Sequence, residues 1–285
     1  MALSMDRKKF TLPREVEPDV EILAVGDIHG RVDLLQALLE EGRATPRVAT
    51  RRKLVFLGDL IDRGPDNLAV VDLASRADEI VGADETIALM GNHEAMMRLA
   101  LDPATFRPDA IDAFQTWLAN GGDRVLDEFI DGKQAARNLE ALLDVAKASL
   151  PVGPKHWLES LRPHWRSGKI LFVHGGVNPG LPIESFLAAP WNVPLSRLEE
   201  SWHWAWVRRP FLDHQPGPYG WSGYFVMHGH TPNDGLRNAS HADQIRKFRL
   251  NLDAGSVMTG IAKMAILRGA EAEVVTARGA GKYRR

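Results

Sequence analysis

Gly58-Asp59-Leu60-Ile61-Asp62-Arg63-Gly64-Pro65-Asp66-Asn67 directly follows the apolar run Leu54-Val55-Phe56-Leu57. Branched and aromatic residues that end at a Gly-Asp pair read as a buried strand emptying into a loop. Pro65 fits the first turn of a following helix. The loop holds Asp59, Asp62 and Arg63 close together, and ligands of α/β sheets gather at such strand ends.

The same arrangement recurs along the chain. Ile22-Leu23-Ala24-Val25 runs into Gly26-Asp27-Ile28-His29-Gly30, and Ile87-Ala88-Leu89-Met90 into Gly91-Asn92-His93-Glu94. Ile170-Leu171-Phe172-Val173 runs into His174-Gly175-Gly176, and Phe225-Val226-Met227 into His228-Gly229-His230-Thr231-Pro232. Taken singly, such a turn fits ordinary turn chemistry, because Asp caps helices and Gly permits positive φ. Five of them at five strand ends point to one shared centre.

Between these runs lie helical patterns. Val32 to Leu39 carries apolar residues at helical spacing, a second helix runs through Leu68, Val71, Leu73 and Ala74, and a third begins near His93. Repeated β-α-β units imply an α/β fold with a largely parallel sheet covered by helices. From about 103 to 165 the texture changes to helical segments at Ala110–Asn120, Asp123–Ile130 and Leu139–Leu150, read as an insertion beside the site. Strand patterns resume at Lys169–Val173 and Tyr224–Met227, then at Phe248–Leu252, Ile261–Leu267 and Glu273–Thr276. No long helix separates these last three, so they are expected to be antiparallel. The tail, about 279–285, is expected to be disordered.

The chain has 285 residues, 45% hydrophobic and 25% charged, enough for a sizeable core. Ligand-bearing runs spread from Asp27 to His230, so a domain cut between them would divide the proposed site. A single domain over 1–285 is expected. A formal net charge of −2 shows no basic excess of the kind that favours nucleic-acid polymers. With no cysteine, disulfides, zinc-thiolate sites and thiol nucleophiles are excluded. The N-terminus carries charges and no signal-type apolar region, and no apolar run approaches the roughly 20 residues needed to cross a bilayer. A cytoplasmic protein with no membrane partner is the expectation.

Asp27, His29, Asp59, Asn92, His174 and His230 offer carboxylate, imidazole and amide donors, a set suited to Mn, Fe or Zn rather than soft metals. Six ligands exceed one ordinary site. Two-metal centres hold their ions about 3.5–4 Å apart and promote in-line attack on phosphoryl groups.

The ordered motifs G-D-x-H-G, G-D-x-x-D-R-G, G-N-H-E, H-G-G and G-H-T resemble those of the calcineurin-like metallophosphoesterases, over roughly Gly26 to Gly260. Within that superfamily they are most similar to bacterial PPP-type serine/threonine phosphatases and to symmetrical diadenosine tetraphosphate hydrolases. The resemblance implies a four-layer α-β-β-α sandwich and two divalent metals, manganese first, with iron or zinc as alternatives. It places Asp27 and His29 on the first metal, Asp59 as the bridge, and Asn92, His174 and His230 on the second. It also makes His93 the general acid oriented by Asp62, with Arg63 gripping phosphate and a metal-bridging hydroxide as nucleophile.

Trp206-Val207-Arg208-Arg209-Pro210-Phe211-Leu212 resembles a W-I-R-E-P-F-L stretch of the bacterial branch whose arginine contacts phosphate and matches Arg208. Arg209 stands where that stretch has glutamate, which leaves open which arginine faces the substrate. Many superfamily members end in G-H-x-H; Pro232 replaces the last His here, as in PPP-type members.

The implied function is a dimetal phosphoester hydrolase acting on phosphorylated protein, in the manner of a serine/threonine phosphatase, or on a small phosphoester. Hydrolysis of bis(5'-nucleosyl) tetraphosphates is the alternative enzyme reading. A non-catalytic binding scaffold is the alternative from another class. Such a scaffold would have lost ligands, whereas all six and His93 are present.

Overall fold

Every residue of strand β2 (Val20–Val25) is buried, which requires cover on both faces. In the computed structural model, which describes residues 3–130, 137–232 and 240–281, that cover is helical on one side and a second sheet on the other. The first sheet has the order β1-β10-β9-β2-β3-β4, with β1 at Ser4–Thr11, β3 at Arg51–Phe56, β4 at Glu85–Ala88, β9 at Ile261–Arg268 and β10 at Glu271–Arg278. The second has the order β5-β6-β7-β8, with β5 at His164–Ser167, β6 at Ile170–Val173, β7 at Phe225–His228 and β8 at Arg249–Asn251.

Side-chain alternation divides the core. Ile22, Ala24, Val55, Leu57 and Ile87 of the first sheet share one apolar cluster with Ile170, Phe172, Phe225, Met227 and Leu250 of the second. Leu23, Val25, Leu54 and Phe56 share the other cluster with helices α1 (Val32–Ala44), α2 (Asn67–Ser75) and α3 (Ala77–Val81). The outward residues Leu171, Val173 and Val226 join a cluster containing Phe186, Trp204, Val207 and Phe211. These are the four layers of an α-β-β-α sandwich, the outermost one built of short helices and loops.

The remaining helices follow in order. They are α4 (Asn92–Leu101), α5 (Arg107–Trp117), α6 (Asp123–Leu126), α7 (Leu139–Ser149) and α8 (Val152–Ser160), with a π turn at Leu118–Gly122 between α5 and α6. Short helices α9 (Ile183–Leu187), α10 (Arg209–Leu212), α11 (His241–Arg246) and α12 (Ser256–Thr259) complete the α-helices among the described residues, with 3₁₀ turns at Leu195–Arg197 and Glu200–Trp202. None is long and apolar enough to cross a membrane.

Three strands in each sheet run parallel: β2, β3 and β4 in the first, β6, β7 and β8 in the second. The antiparallel expectation therefore holds for β9 and β10 but not for β8, which pairs parallel with β7. A parallel pair needs a crossover, and α11 lies in the one from β7 to β8; β8 thus joins the second sheet and does not pair with β9. Two edge strands also escape the sequence reading. β1 is largely exposed and carries Arg7, Lys8 and Lys9, residues that protect an open edge but hide the strand pattern. β5 takes His164 and Trp165 out of the helical stretch. At the other end, Gly279 donates its N–H to the Gly260 carbonyl at 2.8 Å, so the start of the tail is tied down. Positions 282–285 lie outside the described residues.

Candidate metal centre

The parallel strands end on the same side, and the turns that follow them meet. Asp27 follows β2, Asp59 follows β3, Asn92 follows β4, His174 follows β6 and His230 follows β7. Asp27, His29, Asp59, Asn92, His174 and His230 are all buried, with relative exposures of 0–7%. Strain accompanies function: His29, Asp59, Asp62, Arg63 and His230 all have positive φ, between 48° and 74°. Such backbone persists only where the surroundings over-determine it.

Asp59 is the hub. Its Oδ1 lies 3.3 Å from His174 Nε2, and its Oδ2 lies 3.7 Å from His29 Nε2. Two triples of ligand atoms, each within 4.8 Å, share this one carboxylate: His29, Asp59 and His93 on one side, Asp59, His174 and His230 on the other. The first triple contains His93, where the motif reading has Asp27.

Backbone carbonyls fix the imidazoles. His29 Nδ1 meets the Ile61 carbonyl at 2.8 Å, His174 Nδ1 the Leu57 carbonyl at 2.9 Å, and His230 Nε2 the Trp206 carbonyl at 3.2 Å. With those nitrogens as donors, the other ring nitrogens turn inward as acceptors. His174 Nε2 then faces Asn92 Oδ1 at 3.2 Å, and His230 Nδ1 faces it at 2.7 Å. Polar atoms packed this closely fit shared positive charge, whether a proton on His174 or a bound cation.

The electrostatics agree. Burial alone would raise the Asp59 carboxyl, but the imidazoles of His174, His93 and His29 outweigh it and hold it well below the ordinary range. Against its own burial, His174 is drawn up to about 10 by Asp59 and then Asp27. Burial, then the charge of Asp253, pushes Asp27 well up, and its Oδ1 is buried without a hydrogen-bond partner. Hard and borderline donors, an orphaned carboxylate oxygen and a field that attracts positive charge together fit two divalent cations.

Around this core, Asp62 Oδ2 lies 2.6 Å from His93 Nδ1, leaving His93 Nε2 turned toward Asp59 at 4.0 Å. Burial pushes the His93 imidazole down to about 3. Arg63 Nη1 lies 3.1 Å from His29 Nε2, and its Nε donates to the Asn120 carbonyl. Arg208 pairs with Glu200 at 3.1 Å and lines an open cleft of about 1130 Å³ together with His29, Arg63 and His230. Arg209 is 82% exposed, pairs loosely with Asp213 and does not line that cleft. Of the two arginines left open by the sequence, Arg208 faces the centre.

Four supporting residues lie outside the motif assignments. Trp117 donates its indole N–H to both Asp62 oxygens at 2.9 Å. Gly121, at φ 106°, accepts the Arg63 N–H, and a Cβ there would lie 2.7 Å from Arg63 Cγ. The helical stretch thus buttresses the Asp62–Arg63 turn, a long-range contact with no local signal. Glu94 accepts the N–H groups of Asp59, Leu60 and Gly91 at 2.8–2.9 Å, bracing the loop that carries the hub. Asp253 is buried beside the cleft, where burial pushes its carboxyl up to about 6. Its signal was present: Arg249-Leu250-Asn251-Leu252 empties into Asp253-Ala254-Gly255 as the other runs do.

Comparison with known proteins agrees with this geometry. The family model described as calcineurin-like phosphoesterase matches residues 20–260. Serine/threonine-protein phosphatase 1 of Salmonella typhimurium is 29% identical over 191 residues, covering 58% of this chain and 80% of that protein. The symmetrical bis(5'-nucleosyl)-tetraphosphatase of an Acidovorax species is 32% identical over 168 residues, covering 59% of this chain and 48% of that protein. The crystal structure of a cold-active protein-tyrosine phosphatase from a psychrophilic Shewanella superposes with a TM-score of 0.52 at 16% identity, over 89% of this chain and 78% of that one. The fold is shared across these likenesses while the substrates named for them differ. With the family match running from β2 past the last ligand turn, the chain belongs to the calcineurin-like phosphoesterases, the metal-dependent hydrolases of phosphoric esters.

Proposed function

We propose that the chain is a two-cation phosphomonoesterase of the serine/threonine protein phosphatase kind. The observation that carries it is the placement of Asp59, whose two oxygens face separate imidazole groups, His29 on one side and His174 with His230 on the other. In this reading Asp27 and His29 hold the first cation, Asn92, His174 and His230 the second, and Asp59 both. Manganese is the first choice for a set of carboxylate, amide and imidazole donors. The cations, when bound, supply Lewis-acid activation of water and neutralise phosphoryl charge.

The chain's own residues do the rest. Arg63 and Arg208 stand on the cleft wall to hold phosphoryl oxygens, each guanidinium offering paired N–H donors. Asp62 and Trp117 fix the His93 ring, so that Nε2 faces the centre and can pass a proton to the leaving oxygen. Because burial disfavours the imidazolium, that proton is taken up with the substrate, whose phosphate charge favours it.

Nucleotide hydrolysis is the weaker reading, since the tryptophans that could stack a base stand off the cleft. Trp204, Trp206 and Trp221 are buried at 0–6%, Trp191 lies under the Arg98 guanidinium at 4.0 Å, and Trp202 is 56% exposed. None of them lines the cleft among the described residues. The test is a panel with manganese comparing a phosphoserine or phosphothreonine peptide with diadenosine tetraphosphate. The proposal expects at least about tenfold higher kcat/KM on the peptide, close to 1.4 kcal/mol of preference. A tenfold preference for the dinucleotide would replace it with the hydrolase reading.

A further inference from the structure

The first sheet's parallel strands end in Asp27, Asp59 and Asn92; the second sheet's end in His174, His230 and Asp253. Five of these six residues are assigned to cations and the sixth is not. We propose that Asp253 belongs to the first cation's surroundings, as an anionic positioning residue that tightens its binding beside Asp27 and His29. This rests on the two-cation reading above.

Three observations carry it. Asp253 is 2% exposed, and it lines the same cleft as His29. A buried carboxylate is costly unless charge or donors compensate it, and Asp253 Oδ1 accepts the Gly255 N–H at 2.8 Å. Asp27 Oδ1 is itself buried without a hydrogen-bond partner. Two adjacent buried carboxylates repel unless positive charge lies with them.

The turn holding Asp253 is also fixed to the Asp27 loop. A Cβ on Gly26 would lie 2.4 Å from the Leu252 carbonyl oxygen, so the two backbones touch. Ser256 Oγ donates to the Ile28 carbonyl at 2.7 Å, and Arg31 Nη1 donates to the Ser256 carbonyl at 3.1 Å. The first side otherwise has Asp27, His29 and a share of Asp59, fewer protein donors than the second. Pro232 adds none, because its ring has no donor atom for a metal.

Asp253→Asn is the informative change, because it keeps the Oδ1 acceptor for Gly255 and removes only the charge. Metal-stripped protein is titrated with manganese(II), and free ion is read by its paramagnetic resonance signal. Wild type should bind two ions per chain. In Asp253→Asn one site should weaken about 10–100-fold, the range for groups that orient a ligand set. The other site should stay within about twofold. The loss should persist in a His174→Ala background and vanish in a His29→Ala background. The melting temperature of the metal-free variant should be no lower than wild type, since a like-charge neighbour of Asp27 is gone. Unchanged affinity at both sites would overturn the proposal. So would equal weakening of both sites with a lower metal-free melting temperature, which would make Asp253 a structural brace of its turn. Wild type binding fewer than two ions would instead overturn the two-cation reading beneath it.

Discussion

Trp117→Phe isolates the contribution of the helical stretch to catalysis. Trp117 is wholly buried at the end of α5, and its indole N–H lies 2.9 Å from both oxygens of Asp62, itself wholly buried. Phenylalanine keeps an aromatic ring against Gly122 and removes the donor. A buried acceptor that loses one donor costs about 1–3 kcal/mol, so the melting temperature of a chain of 285 residues should fall by roughly 2–5 °C. The catalytic effect runs through the 2.6 Å contact between Asp62 Oδ2 and His93 Nδ1. General-acid help is worth about 10²–10⁴-fold in all, and loosening rather than removing the acid should forfeit about tenfold of it. The loss should appear in kcat on an alkyl phosphate, whose leaving alkoxide needs a proton, and largely disappear on a nitrophenyl phosphate. Combined with His93→Asn, the change should add little, because both act on one step. Equal losses on the two substrates, or additive losses in the double variant, would refute the chain from Trp117 through Asp62 to His93.

Gly121→Ala should raise KM severalfold and cost about 1–3 kcal/mol in denaturant unfolding, since alanine at φ 106° would press on Arg63 Cγ; a neutral variant would show that Gly121 does not set Arg63. Arg208→Ala should raise KM and lower kcat, whereas Arg209→Ala, 82% exposed, should change neither, and the reverse ranking in steady-state kinetics would move the phosphate contact one residue along. Burial pushes the His203 imidazole from 6.5 down to about 4, so the unfolded chain binds a proton that the folded chain refuses between those values. The His203 contribution should be full above pH 6.5 and fall by up to about 3 kcal/mol toward pH 4; His203→Gln should reduce the slope in that window, leaving the share of other buried imidazoles such as His93, and an unchanged slope in urea unfolding against pH would contradict the assignment.

The centre was legible because its chemistry sits directly after strands. Each apolar run names its own strand, and the next few residues name the side chain it delivers, so local sequence carries the position and donor type of Asp27, Asp59, Asn92, His174 and His230. What holds those residues was not legible. Trp117 and Asp62 are 55 positions apart, and Glu94 reaches back 35 positions to the Asp59 N–H, contacts that only the folded chain creates. Edge strands failed for a different reason: β1 is charged and largely exposed, so no buried face imposes alternation on it. β8 groups with β9 and β10 in sequence because only the four-residue α12 separates it from β9, yet it lies in the other sheet and pairs with β7. Asp253 escaped although its strand-end setting matches the others, because no named motif marked it.

The central claim is that one carboxylate serves two cations, and metal content of Asp59→Asn tests it most directly. Wild type and variant are stripped with chelator, reloaded with manganese(II), desalted and assayed for metal per chain, with phosphate release measured alongside. Asparagine keeps the Oδ1 acceptor for the His93 N–H, 3.1 Å away in the wild type, while removing the shared charge. The expected result is loss of both ions together, with activity falling in step and the fold retained by circular dichroism. A variant that retains two ions per chain and hydrolyses phosphoester at the wild-type rate would contradict the bridge, and retention of one ion at full affinity would show that Asp59 serves a single site.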